Sequence, residues 1–499
     1  MRYIILKKSS IWLRLLTALL ALLMVAAMAV ACSDNKDPNK DPSKDPSDDP
    51  GKTDPSDSSD PSDDEVKDDL PNDKNYGGRE FKILYNRDTL VGCFWVDAET
   101  GSVVDKAVYD ACAITEERFG VKLIAESSSQ TDPGHANLIQ TAISTGDNVA
   151  DLFQVHDVLG ANLSLQGMFL DVHSLPYVDL SKPWWPAKTV DSLSFMGQWY
   201  LISSSMSYNS IAGASVLFFN KDMMNDLSME EPYQRVLDGN WYLEDMLSEV
   251  QDIYTDVTTD GKTEDDTFGI IIPREFYSWY ESFGISMIEK KADGDELKLN
   301  ANDDRAYDLI DALYGILYES DGGHMLARLE AEALFAEGRA LYIPTRLRAA
   351  VETFATYEIN YGIVPYPKLD ENQEGYYAGY TDFYFVVPNY CDDKELMGII
   401  LESMTAEGYR KVIPTYFETA LKGRYTRDPE SKEVLDIIQK NMVIDFAYAY
   451  GNDKWYSRAL YQLLKEQSKD YASFYKTNEN AALARIDEVV TAFRDLANK

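Results

Sequence analysis

Between residues 79 and 156 the apolar pattern alternates between strand and helix, and that alternation constrains the fold more than any other feature of the chain. "REFKILYN" (79–86) reads as a strand. "VVDKAVYDACAITEERF" then sets Val104, Val108, Ala111, Thr115 and Phe119 near helical spacing. "VKLIAE" is a second strand, "ANLIQTAISTG" a helix closed by Gly146, and "ADLFQVH" a third strand. Strand, helix, strand, helix, strand predicts an α/β fold, a parallel sheet with helices on its faces. Ligands of such sheets bind beyond the carboxyl ends of the strands. Those ends carry Arg87 and Asp88 after the first strand, and His156 and Asp157 after the third.

The middle of the chain changes character. "QWYLISSSMSYNSIAGASVLFFN" alternates over a long reach, as one strand crossing between lobes would. "YLEDMLSEVQDIY" and "AYDLIDALYGILYES" read as helices; "INYGIVPYP" and "YTDFYFVVP" read as extended segments. The final helix, "ALARIDEVVTAFRDLAN", carries Leu483, Ile486, Val490 and Phe493 on one face.

Ahead of all this, Arg2, Lys7, Lys8 and Arg14 precede an unbroken apolar run from Leu15 to Ala31, the pattern of a secretory signal. Cys32 follows at once. A cysteine directly after Ala29-Val30-Ala31 resembles the bacterial lipoprotein signal, in which that cysteine is lipidated and becomes the first mature residue. Ala29 departs from the leucine usual at that place. Residues 32–78 are nearly all Asp, Pro, Ser, Lys and Asn, too polar to bury a core, so they are expected to form a disordered tether. The chain has 47 basic and 84 acidic residues, a net charge of −37, which disfavours nucleic acid as a partner. Besides Cys32 there are Cys93, Cys112 and Cys391, without the spacing of a zinc site or a disulfide framework; buried free thiols are expected.

The order of motifs resembles the extracellular solute-binding proteins of ABC importers, in the sugar-binding group that includes maltose-binding protein. "LFFNKDMM", "YQRVLDGNWYLEDML", "TDGKTEDDTFGI", "LFAEGRALYI", "YGIVPYPKLDENQEGYY" and "ILESMTAEGYRKVIPTYFETAL" follow one another as in that family. Each is weak alone; six in order, covering about residues 79–499, identify the resemblance. It implies a two-lobed, type II periplasmic-binding fold with several chain crossings at the hinge. By analogy the first lobe takes 79–207 and 342–378, and the second 208–341 and 379–499. It further implies a lipid-anchored monomer at the outer face of the bacterial membrane. That monomer captures a carbohydrate, an oligosaccharide by preference, and hands it to the permease subunits. No cofactor or metal is implied.

On that pattern "IIPREFYSWYESFG" (271–284) opens onto the cleft. Flat rings bury the apolar faces of a sugar, while carboxylates and guanidinium groups bond its hydroxyl rim. Trp279 and Tyr280 are therefore candidate platforms and Glu281 a candidate acceptor. Arg346, Tyr380 and Asp382 lie near expected lobe crossings, and Tyr208 in "SMSYNS" is a similar candidate. Trp184, Trp185 and Trp241 are read as packing residues. The loop "DVTTDGKTEDD" places Asp256, Asp260 and Gly261 as a calcium loop would. Thr258 replaces an acid, however, and Thr267 stands where a bidentate glutamate belongs. The rival reading from another class is an extracellular glycosidase working through paired carboxylates. Nucleophile-elbow, zincin and phosphate-loop motifs do not occur, and there are only four histidines.

Overall fold

Helix caps and strand periodicity place the first sheet where the sequence predicts it. The structure, a computed structural model, describes residues 66–259, 261–274, 278–291, 294–381, 383–422 and 429–498. The signal segment, Cys32, the tether up to residue 65, Asp260 and Asp382 lie outside the described residues. β1 spans Arg79–Tyr85, α1 Val103–Phe119, β2 Val121–Ser127, α2 Asp132–Thr145 and β3 Leu152–His156. Ser102 caps α1 at the amide of Asp105, and Gly120 ends it at φ +59°, a conformation that a side chain resists. Thr131 and Gly146 bracket α2 in the same way. Each such N-cap stabilises its helix by about 1 kcal/mol. Val104, Val108, Ala111, Thr115 and Phe119 are all buried, the face that the spacing selects.

The longer of the later strands are β4 (Ser215–Asn220), β5 (Thr267–Pro273), β6 (Gly323–Leu326), β7 (Ala340–Arg346), β8 (Tyr361–Val364) and β9 (Phe383–Val386). The first sheet has the order β2-β1-β3-β9, parallel except for β9, which runs against β3. In the second sheet these strands take the order β6-β5-β7-β4-β8, parallel except for β4, which runs against both β7 and β8. A shared plan explains both orders. Each sheet takes, as its antiparallel member, the first of these strands formed after the chain arrives from the other sheet. This reciprocal insertion ties the two lobes together at their strand ends.

Strand pairing redraws the expected lobes. The analogy places residues 342–378 in the first lobe, yet β7 and β8 belong to the second sheet; it places residues from 379 in the second, yet β9 pairs with β3 in the first. The chain makes its second crossing after β8. Nor is the first crossing one long strand. Isolated bridges at Gln198 and Ile202 give way to a short helix, Asn209–Ala212, before β4. Serine side chains break the extension: Ser204 Oγ accepts the amide of Met206 and Ser207 Oγ that of Asn209. In the last helix, Tyr471–Ala497, the buried face is Ala482, Ile486, Val489 and Phe493, while Leu483 is 46% exposed. Cys93 and Cys112 are buried and Cys391 half-buried, none of them in a disulfide.

The globular unit also begins earlier than residue 79, at Val66. Leu70 is buried, and the Asp68 carboxylate is held by Arg118 of α1 at 2.8 Å and by Arg410 at 3.2 Å. Lys182 adds a contact to Asp69 at 2.8 Å. An acidic segment with little apolar surface docks here mainly through arginines, with Leu70 set into the core. Burial opposes the charged form of Asp68, but the two arginines outweigh it and lower its pKa. A lowered folded pKa contributes stability above the unfolded value, lost as pH falls through the folded one. Asp68→Asn is therefore expected to cost about 1–2 kcal/mol at neutral pH. Urea unfolding should show that deficit shrinking below pH 4.

Candidate functional site

β3 runs straight into α3 (Asp157–Ser164), so His156 and Asp157 occupy a strand–helix junction. Asp157 is buried; its Oδ1 accepts the amide of Val158 and lies 2.7 Å from Nδ1 of His156. Burial works against a charged imidazole, but the carboxylate prevails and raises the His156 pKa. Across the ladder His156 meets Phe383 of β9 edge-on, with ring centroids 5.3 Å apart. The Arg87 guanidinium lies 5.6 Å from the same phenyl ring and is fixed by Asp132, which opens α2. Arg87 Nε reaches Asp132 at 2.8 Å and Asn86 donates to it at 2.7 Å. The carboxyl ends of β1, β2 and β3 thus share one patch, with a phenyl ring at its centre.

Arg346 ends β7 in the opposite sheet. It is half-buried, and its Nη2 donates to Thr381 Oγ1 at 3.2 Å. Burial and the neighbouring Arg348 push its pKa down to about 10. Its charge acts on the hydroxyls of Tyr366 and Tyr448, and Asp157 acts back on it. Asp157 belongs to the first lobe and Arg346 to the second, so charged strand ends of both lobes stand within electrostatic reach of each other. Tyr448 hydrogen-bonds Arg458, which pairs with Asp453 at 2.9 Å. Behind Arg346, Tyr366 packs on Trp279 at 5.3 Å and on Phe283 at 5.8 Å. Aromatic rings, hydroxyls and charged groups from the ends of both sheets thus gather in one region, the kinds of group that hold a polar solute with apolar patches.

Of the residues singled out from the sequence, Arg87, His156, Asp157 and Arg346 come together here, and Trp279 backs the site through Tyr366. Asp88 is exposed in the first turn of a four-residue helix. Tyr208 stacks on Tyr416 at 4.7 Å, and burial raises its pKa. Tyr380 joins its hydroxyl to Thr189 at 2.8 Å and Ser203 at 3.2 Å, tying the crossing segment down. Three expectations need correction. Trp279 is a packing residue, 5% exposed against Phe283 and Tyr366, not an open platform. Tyr280 is a packing residue, 1% exposed with its hydroxyl toward the backbone of Leu460, not an open platform. Glu281 is buried beside Asp445 rather than presented as an acceptor. The physical reason is common to all three: every residue of the short helix Trp279–Ser282 is buried, so no face of it is left open.

Sequence reasoning missed Asp132, Phe383, Tyr366 and Tyr448. Asp132 was findable, since it follows the second strand as Arg87 follows the first. Trp184, Trp185 and Trp241 are buried, as expected of packing residues. In the loop read against a calcium site, Asp256 spends its carboxylate on the amides of Thr259 and Gly261.

No protein-family model and no curated protein matches the chain. Solved structures do. An ABC substrate-binding protein from Listeria monocytogenes, in complex with cycloalternan, aligns at 15% identity over 83% of this chain and 99% of its own, TM-score 0.49. An ABC transporter solute-binding protein from Agrobacterium radiobacter, in complex with ribitol, aligns at 14% over 84% and 98%, TM-score 0.49. A cyclo/maltodextrin-binding protein complexed with maltotetraose aligns at 12% over 84% and 97%, with a TM-score of 0.52. Agreement across nearly the whole of that last chain, together with the reciprocal strand insertion, decides the architecture. The fold is that of a type II solute-binding protein. Asp157 follows the end of β3 in the first sheet, and Arg346 ends β7 in the second.

Proposed function

We propose that this protein is the carbohydrate-capturing component of an ABC importer. It takes an oligosaccharide between its two lobes and presents it to a permease pair, without chemical change. One observation carries this reading: polar and aromatic groups from both sheets converge at the strand ends, so one solute touching both walls favours the closed arrangement over the open one. The maltodextrin-binding protein of the same fold was solved with a bound oligosaccharide, which supports the ligand class. Among the described residues no helix is long and apolar enough to cross a membrane. Attachment is assigned instead to a diacylated Cys32, because two acyl chains anchor stably where one does not. The extracellular location follows from that anchor.

A thermal-shift screen against oligosaccharides tests the proposal, since a ligand at a hundred times its Kd stabilises by about 2.7 kcal/mol. At least one oligosaccharide is expected to raise Tm by several degrees and to be recovered intact after incubation. Cleavage of the bound sugar would replace the importer reading with the glycosidase one. A flat response across sugars would remove carbohydrate altogether.

A further inference from the structure

Charge balance around the cleft is uneven, and the imbalance sits on one residue. Neighbouring arginines each have a carboxylate: Arg87 has Asp132, Arg328 has Glu332 at 3.0 Å, Arg348 has Glu352 at 3.9 Å, and Arg458 has Asp453 at 2.9 Å. Arg346 has none within ion-pair distance among the described residues; the side-chain hydrogen bond it makes there is to the neutral Thr381 hydroxyl. Asp157 is in electrostatic reach, but its Oδ1 is turned to His156 Nδ1 at 2.7 Å and to the amide of Val158. Arg348 and Arg328 add repulsion to the desolvation that Arg346 already bears. A half-buried guanidinium kept short of a counter-charge, at a strand end facing the other lobe, is an anion site waiting for its anion. The Thr381 hydroxyl beside it can bond a sugar rim as well.

We propose that the cleft takes an acidic oligosaccharide, one whose ring carries a carboxylate or sulfate that docks on Arg346. The inference rests on the carbohydrate reading above and names the substrate class within it. The planar fork of arginine matches either anion with two parallel hydrogen bonds, which a neutral sugar does not offer. The chain's net charge of −37 repels anions at long range, so recognition has to come from this local contact, and salt in the range that screens surface charge weakens it little.

Calorimetric titration of the full chain with three matched ligands tests this: an oligogalacturonide, its methyl ester and a sulfated neutral oligosaccharide of equal length. The free acid or the sulfated sugar is expected to bind at least about tenfold more tightly than the ester, and which of the two does so identifies the anion. Arg346→Gln is expected to erase the preference and Arg346→Lys to restore part of it, with the unliganded Tm of each variant checking its folding. Binding of the ester as tight as that of both anions, or a preference that survives Arg346→Gln, overturns the acidic class and leaves carbohydrate binding standing. If no sugar binds, charged or neutral, both readings fall.

Discussion

Glu402→Leu is expected to destabilise the first lobe by about 3–5 kcal/mol, the cost of removing one partner from a buried charged network. Glu402 is 1% exposed, on the helix Lys394–Glu407. Its Oε1 accepts the indole N–H of Trp184 at 2.9 Å, and its Oε2 that of Trp185 at 2.7 Å. The amide of Asp179 adds a third donor at 3.2 Å. Leucine keeps the volume and leaves three donors without an acceptor, each a loss of about 1–3 kcal/mol where water is excluded. Glu402→Gln should fall between, because one amide oxygen can serve one indole while the NH2 group faces the other. Urea unfolding followed by tryptophan fluorescence measures this directly, since both indoles report. A Glu402→Leu protein within about 1 kcal/mol of the parent would mean that the indoles find water or another acceptor, and that the network is not closed.

These two tryptophans were legible as packing residues because "KPWWP" places them between prolines, away from any strand end. The rest of the sequence was legible in proportion to how local its signals are. Residues 79–156 resolve into strands and helices because both long helices there carry their own caps: Ser102 and Gly120 for the first, Thr131 and Gly146 for the second. Sheet membership is not a local property. "ALYIPTR" and "YGIV" are buried along most or all of their length, so no alternation reveals which sheet they join. Reciprocal insertion then reverses the simplest assumption, that a strand belongs with its sequence neighbours. The docking of residues 66–78 was hidden for a different reason. Its binding uses Asp68 and two distant arginines, and a polar segment that docks through ion pairs has the composition of one that does not dock at all.

The site divides the same way. Arg87, His156, Asp157 and Arg346 were found because they end or follow strands, and topology brings strand ends together. Tyr280 and Glu281 were misplaced because aromatic density says that rings pack, not which side they pack on. Phe383 was passed over as a strand residue, yet strand β9 arrives from the other lobe and lays that ring against His156. In the final helix the eye follows Leu483, while the structure buries the smaller Ala482 one position earlier.

Glu281→Gln/Asp445→Asn is expected to make the protein more stable at neutral pH and to flatten its pH profile. Both carboxyls are buried, at 8% exposure each, and one oxygen of each lacks a hydrogen-bond partner. Burial raises the Glu281 pKa well above its usual value, and the Asp445 carboxylate pushes it further. Burial likewise lifts Asp445 to about 6, against the pull of the Ala447 and Tyr448 amides and of Lys290. Lys290 is the nearby cation, but it is committed to the carbonyls of Asp191 and Ser192 at 2.6 Å and Ser194 at 2.7 Å. A folded pKa raised above the unfolded value contributes stability that is full below the unfolded value and disappears as pH rises through the folded one. For Asp445 that window runs from 3.8 to about 6, and Glu281 extends it upward. Stability is therefore expected to fall by about 3 kcal/mol as pH rises across the Asp445 window, each tenfold difference in proton affinity between the folded and unfolded chain being worth roughly 1.4 kcal/mol. Carboxylates paired with arginine, such as Asp68, pull the other way at lower pH. The double amide variant removes the slope and keeps the cap on the helix Phe446–Tyr450, because asparagine serves at that position as well as aspartate. Urea midpoints of parent and variant, followed from about pH 3.5 to about pH 7.5 to cover that window, decide it: the curves should diverge as pH rises, and parallel curves would show that the two carboxyls are solvated or separately neutralised.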